Sequence, residues 1–142
     1  MNSRPVRCAV LLSGSGRTLD NFFSSMDAGD LNLEIVAVVS SKNGVRGVDR
    51  AKERGVPVEV FPRRKYGSVQ DHNQAINQWL APYQAEIIVL AGYLSFYLKP
   101  ESFAGPVVNI HPALLPKFGG KGFFGDRVHQ AVLDSGEKQS GC

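Results

Sequence analysis

Val6-Arg7-Cys8-Ala9-Val10-Leu11-Leu12-Ser13-Gly14-Ser15-Gly16-Arg17-Thr18-Leu19 runs from an apolar stretch through a glycine-punctuated turn into a helical pattern. Val6 to Leu12 has the length and content of a buried strand, and Ser13-Gly14 closes it. From Thr18 to Met26, the residues Leu19, Phe22, Phe23 and Met26 recur at helical spacing, and the helix is expected to end near Gly29. The same alternation continues outward. Glu34 to Val39 reads as a second buried strand, and Gly47 to Arg54 as a charged surface helix closed by Gly55. Pro57 to Phe61 is a third strand bounded by Pro62. Ser68 caps a longer helix through Ile76, Trp79, Leu80 and Tyr83. Glu86 to Ala91, with Ile87-Ile88-Val89-Leu90 at its centre, is the most hydrophobic strand and is broken by Gly92. Val107 to Ile110 is the fifth strand, and Asp126 to Asp134 a last helix stopped by Gly136. Helix-linked strands rich in Val, Ile and Leu indicate an α/β fold, a Rossmann-like, doubly wound and mostly parallel sheet covered on both faces.

The 142 residues suit a single domain, 1–142, large enough to bury about 70% of the surface of its unfolded chain without a disulfide or metal to hold it. Two cysteines, Cys8 in a strand and Cys142 at the end, give neither a disulfide framework nor metal-ligand spacing, which fits a reducing, cytoplasmic setting. No apolar run approaches the roughly 20 residues of a membrane span, and the stretch after Arg4 and Arg7 is broken by glycine too soon for a signal peptide. The net charge of +3 suits anionic small molecules, and the scattered basic residues argue against nucleic acid. Arg63-Arg64-Lys65 reads as a solvated loop.

Chemistry concentrates at Asn109-Ile110-His111-Pro112-Ala113-Leu114-Leu115-Pro116. Strand alternation puts Asn109 and His111 on one side, with Val108 and Ile110 packing on the other. Pro112 stops the strand just after the histidine, at the carboxyl edge where open α/β sheets bind ligands. His111 could instead be a core histidine satisfied by a backbone partner, but Asn109 on its face and the prolines around it weigh toward chemistry.

The other polar candidate is the turn Ser13-Gly14-Ser15-Gly16-Arg17-Thr18, whose backbone donors at a helix start can cradle a phosphate. An unliganded strand-to-helix turn fits a lone Gly-x-Gly equally well, and Arg17 and Thr18 tilt the reading toward phosphate. Leu19 holds the third glycine position of a dinucleotide fingerprint, and Ser40-Ser41-Lys42 offers no acid for a ribose, so NAD does not fit; a Walker lysine is also missing. A non-catalytic NADP-binding module using Ser41, Lys42 and Arg46 is the alternative from another class. His72 is expected to be a surface or capping residue. His129, beyond the segment Gly119 to Gly125, is a candidate supporting residue if that segment folds back over the Asn109/His111 corner. The three histidines lack zinc spacing, and no metal is expected. Neither a serine nucleophile elbow nor a paired-cysteine motif is found.

Asn109 to Gly120, with Ser13-Gly14-Ser15-Gly16 and Ala91-Gly92-Tyr93-Leu94, resembles the phosphoribosylglycinamide formyltransferases of purine synthesis, and the likeness runs the length of the chain. The Asn-Ile-His-Pro-x-Leu-Leu-Pro run is also shared with methionyl-tRNA formyltransferases and formyltetrahydrofolate hydrolases. The glycine turn and the continuation Lys117-Phe118-Gly119-Gly120 with His129 resemble the glycinamide ribonucleotide branch. The resemblance implies formyl transfer from 10-formyltetrahydrofolate, as co-substrate, to the amine of glycinamide ribonucleotide, in a monomer or homodimer; the hydrolase is the nearest alternative. It further implies that Gly14, Gly16, Arg17 and Thr18 hold the substrate phosphate, that Leu94, Ser95, Phe96, Tyr97 and Asn109 line the folate site, and that Asn109 and His111 are catalytic. A third catalytic group, an aspartate on a loop past Cys142, is implied as well. The chain is therefore expected to be C-terminally incomplete and to have little activity alone.

Overall fold

The computed structural model describes residues 3–110. All but the last two of these belong to the first of two units into which the chain divides, Met1–Val108 and Asn109–Cys142. The elements follow the expected alternation: β1 (Val6–Leu12), α1 (Arg17–Asp27), β2 (Leu33–Ser40), α2 (Arg46–Glu53), β3 (Val58–Val60), α3 (Val69–Leu80), β4 (Ile87–Ala91) and β5 (Val107–Ile110). Short 3-10 turns stand at Arg63–Lys65 and Ala81–Tyr83. The strands form one sheet in the order β3-β2-β1-β4-β5. β1 runs parallel to both β2 and β4, and β2 runs parallel to β3. The doubly wound, parallel α/β reading is therefore correct.

Central placement explains why β1 and β2 carry continuous apolar runs: from Cys8 to Leu12 and from Ile35 to Val39 every side chain is buried. Ala9, Leu11, Ala37, Val39 and Ile88 pack with Ile76 and Leu80 of α3. On the opposite face Leu12 meets Gly47 of α2. Each fully buried leucine, such as Leu11 or Leu12, contributes about 1.5–3 kcal/mol of hydrophobic stabilisation. The register of β1 on β2 shifts by one residue between Cys8 and Ala9, which leaves Val36 as an extra residue on β2. Arg54, at the end of α2, lies over the Phe23 ring at 4.6 Å and grips Asp27 with two bonds of 2.9 and 2.7 Å, joining α1 to α2.

Three expectations need correction. β3 shrinks to three residues because Pro57 and Pro62 bracket it and neither can donate to a ladder. α3 ends at Leu80 instead of continuing to Tyr83, since Pro82 tightens the chain into a 3-10 turn. Val108, expected to pack, is 41% exposed, and Val107 packs against the core in its place. Among the described residues β5 is last in the strand order, and a strand with a neighbour on one side buries less than a central one. The helix expected over 126–134 lies outside the described residues.

Candidate functional site

The sheet fixes where a ligand can enter. After β3 the chain crosses back over β1 and adds β4 on its other side, so the order reverses between β1 and β4. Loops leaving the carboxyl ends of these two neighbours diverge, and the crevice between them is where open α/β sheets bind ligands. Those loops are the Ser13–Gly16 turn and the segment from Gly92 onward.

The turn is built for close approach. Gly16 is the N-cap of α1 at φ 73°, a left-handed conformation natural to glycine. No side chain caps this helix, so the first-turn N–H groups beyond Gly16 are offered to an external acceptor. A Cβ on Gly16 would stand 2.6 Å from the Gly47 Cα, and a Cβ on Gly47 would stand 2.7 Å from Leu12 and 2.8 Å from the Gly14 carbonyl. Gly47 N–H donates to that carbonyl at 3.0 Å. Arg50 reinforces the turn from outside: its Nε donates to the Ser15 carbonyl at 2.9 Å, and its guanidinium pairs with Asp20 at 3.1 Å. Among the expected phosphate residues, Gly14, Gly16 and Thr18 are half-buried and Arg17 is exposed at the start of α1.

Ser13 joins the turn to the other loop. It is 3% exposed, its hydroxyl pairs with that of Ser41, and it accepts the Leu94 N–H at 2.9 Å. Leu94 and Phe96 turn apolar side chains outward, 47% and 78% exposed, while Ser95 and Tyr97 are half-buried. Burial pushes the Tyr93 hydroxyl up to about 12. It raises that of Tyr97 too, with the neighbouring Tyr93 adding to the shift, so both stay protonated at neutral pH.

Beside this loop lies a cleft of about 500 Å³ lined by Ser41, Lys42, Asn43, Pro62, Arg63, Arg64, Leu94 and Ser95. Its charged lining residues are all cationic. The basic run read as a solvated loop thus borders a cleft, with Arg63 half-buried and bonded to the Tyr66 carbonyl at 2.9 Å. Two of the three residues of the NADP alternative are engaged elsewhere, Arg46 with Glu53 at 2.8 Å and Ser41 with Ser13, while Lys42 lines the cleft.

Asn109 is an exposed residue of β5. His111 and His129 lie outside the described residues. His72 is not on the surface: it is fully buried, Nε2–H donates to the Phe61 carbonyl at 2.7 Å, and its ring tilts against Tyr66 at 5.2 Å. Cys8 is buried without a disulfide, and its thiol is pushed up to about 12 by burial. Among the described residues no cluster of three or more His, Cys, Asp or Glu is placed to hold a metal. No helix among them is long and apolar enough to cross a membrane.

Residues 6–142 match the model of the formyl transferase family. The chain belongs to this family. Similar formyltransferases include the phosphoribosylglycinamide formyltransferase of Haemophilus influenzae, 34% identical over 95% of this chain and 62% of that protein. The chloroplastic phosphoribosylglycinamide formyltransferase of Arabidopsis thaliana is 36% identical over 97% of this chain and 48% of its own length. Among solved structures, the phosphoribosylglycinamide formyltransferase of Coxiella burnetii superposes with a TM-score of 0.82 at 31% identity, over 94% of this chain and 62% of that one. The chain thus spans less than two thirds of each of these formyltransferases.

Proposed function

We propose that this protein transfers the formyl group of 10-formyltetrahydrofolate to the amine of glycinamide ribonucleotide. One observation carries the reading: an uncapped helix start opened by Gly16 is tied through Ser13 to the Leu94 loop at the switch point of the sheet. The turn suits a phosphate, and the outward Leu94 and Phe96 suit the flat apolar body of a folate. Arg63, Arg64 and Lys42 suit the anionic end of such a ligand. Relatives named phosphoribosylglycinamide formyltransferase support the same reading. A cytoplasmic enzyme acting on small molecules, as monomer or homodimer and without a metal, completes the proposal.

The chemistry assigns roles to the Asn109/His111 pair. The substrate amine attacks the formyl carbon and a C–N bond forms, placing negative charge on the formyl oxygen. The amine then loses a proton, the folate N10 gains one, and the bond from carbon to N10 breaks. Asn109 donates an amide N–H to the oxyanion, a contact whose loss costs on the order of a hundredfold or more in rate. His111 polarises the same oxygen or passes the proton. Calorimetry with glycinamide ribonucleotide and with 10-formyl-5,8-dideazafolate tests the assignment on this chain. Binding of both supports it; binding of neither refutes it. Release of formate that ignores added ribonucleotide would favour the hydrolase.

A further inference from the structure

The segment after β4 inverts the usual placement of polar and apolar groups. Leu94, Phe96 and Leu98 are 47%, 78% and 42% exposed, while four backbone polar groups of these same residues are bonded to side chains. The Leu94 N–H reaches Ser13 Oγ at 2.9 Å. The Phe96 carbonyl accepts from Asn73 Nδ2 at 3.0 Å, and the Leu98 N–H donates to Asn73 Oδ1 at 2.9 Å. One turn along α3, Asn77 Nδ2 donates to the Leu98 carbonyl at 3.0 Å, and Asn77 Oδ1 accepts the Tyr97 hydroxyl at 2.6 Å.

Asn73 and Asn77 are four residues apart, so they share one face of α3 and act as a short polar ladder for a loop that pairs with no strand among the described residues. Asn73 is 2% exposed, and both hydrogens of its amide are used, the second on the Val69 carbonyl at 2.9 Å. A free loop would bury Phe96 and hydrate its backbone; five side-chain bonds impose the reverse.

We propose that Asn73, Asn77 and Ser13 are positioning residues that hold residues 94–98 as a preformed wall presenting Leu94 and Phe96 to the folate. This role rests on the function proposed above. A wall fixed before the ligand arrives spares the ordering of that loop on binding, so its ties appear in affinity although none touches the ligand.

The test uses Asn77→Ala, at a half-buried position, beside Asn73→Ala, with amide hydrogen exchange and calorimetry against 10-formyl-5,8-dideazafolate and inorganic phosphate. Asn73→Ala should raise exchange of the Leu98 N–H by roughly tenfold or more, as expected for one lost bond, while Ile76 and Leu80 keep their protection. In both variants affinity for the folate analogue should fall by roughly tenfold, and phosphate affinity should not change. Ser13→Thr, which keeps the hydroxyl, should bind the analogue better than Ser13→Ala. Unchanged folate affinity in Asn77→Ala, with tight binding by the unaltered chain, overturns the positioning role alone. Absence of folate binding by the unaltered chain overturns the function on which it rests.

Discussion

Replacing Gly16 by alanine tests whether the turn is set by close approach or only by its backbone angle. Gly29 supplies the control, because it shares the left-handed conformation, φ +80° against +73°, and has nothing within 4 Å of an added Cβ. Alanine in that conformation costs about 1–2 kcal/mol at either site. At Gly16 the Cβ also meets the Gly47 Cα at 2.6 Å and Arg50 Cδ at 3.3 Å. The first of these is backbone and cannot swing aside, so overpacking adds about 1–3 kcal/mol. Gly29→Ala should therefore lose about 1–2 kcal/mol and Gly16→Ala about 2–5 kcal/mol. The smaller entropy of the unfolded alanine chain lowers both losses equally, by about 0.4–1 kcal/mol, and drops out of their difference of about 1–3 kcal/mol. Urea unfolding can be followed by the single tryptophan, Trp79, whose ring lies 6.1 Å from Phe61 and 5.0 Å from Tyr83. Equal losses in the two variants would refute the idea that α1 and α2 meet through two glycines.

Two other measurements probe charge and burial. Hydrogen bonding from Arg4, then from the Arg7 N–H, holds the Glu86 carboxyl below its ordinary value, so its contribution is present above pH 4.5 and fades as pH falls through the depressed value. Glu86→Gln should flatten the acid limb of the stability curve; a curve merely displaced downward would show that the bond carries no linkage. Cys8, 0% exposed and with its thiol raised to about 12, should resist alkylation at pH 8 in the native protein and react once unfolded, as read by peptide mass mapping. Labelling of Cys8 at the native rate of a free thiol would contradict its burial.

Those elements that rest on apolar content were legible in the sequence. β1, β2 and β4 are read from continuous Val, Ile and Leu because a parallel strand flanked by others has no solvent face to mark with polar residues. The cap at Ser68 was also legible, and its hydroxyl accepts the Asp71 N–H at 3.0 Å. His72 was misread although the signal was present: residues 72, 76 and 80 recur every four positions, so the histidine stands on the stripe of Ile76 and Leu80. A polar residue type outweighed its position. Gly47 passed as an ordinary start of a surface helix, because nothing local shows that the Gly14 carbonyl and Leu12 close over it.

Ser13, Asn73 and Asn77 were invisible for a deeper reason. Period and composition report which face of an element is buried, and the partners involved are a few residues away. The bonds that shape the candidate site join Ser13 to Leu94, Asn73 to Phe96 and Leu98, and Asn77 to Tyr97 and Leu98, across separations that carry no period. Their chemistry still follows from the fold. Where the strand order reverses, the loop after β4 finds no strand among the described residues on which to spend its N–H and C=O groups, and a buried group left unpaired costs about 1–3 kcal/mol. Short amides and hydroxyls on the elements beneath supply the missing partners, and with the backbone satisfied from below, the apolar side chains are left facing outward. The crevice at the switch point thus acquires an apolar wall as a consequence of satisfying its backbone, which is why the polar residues under the loop, and not only those facing the ligand, belong to the site.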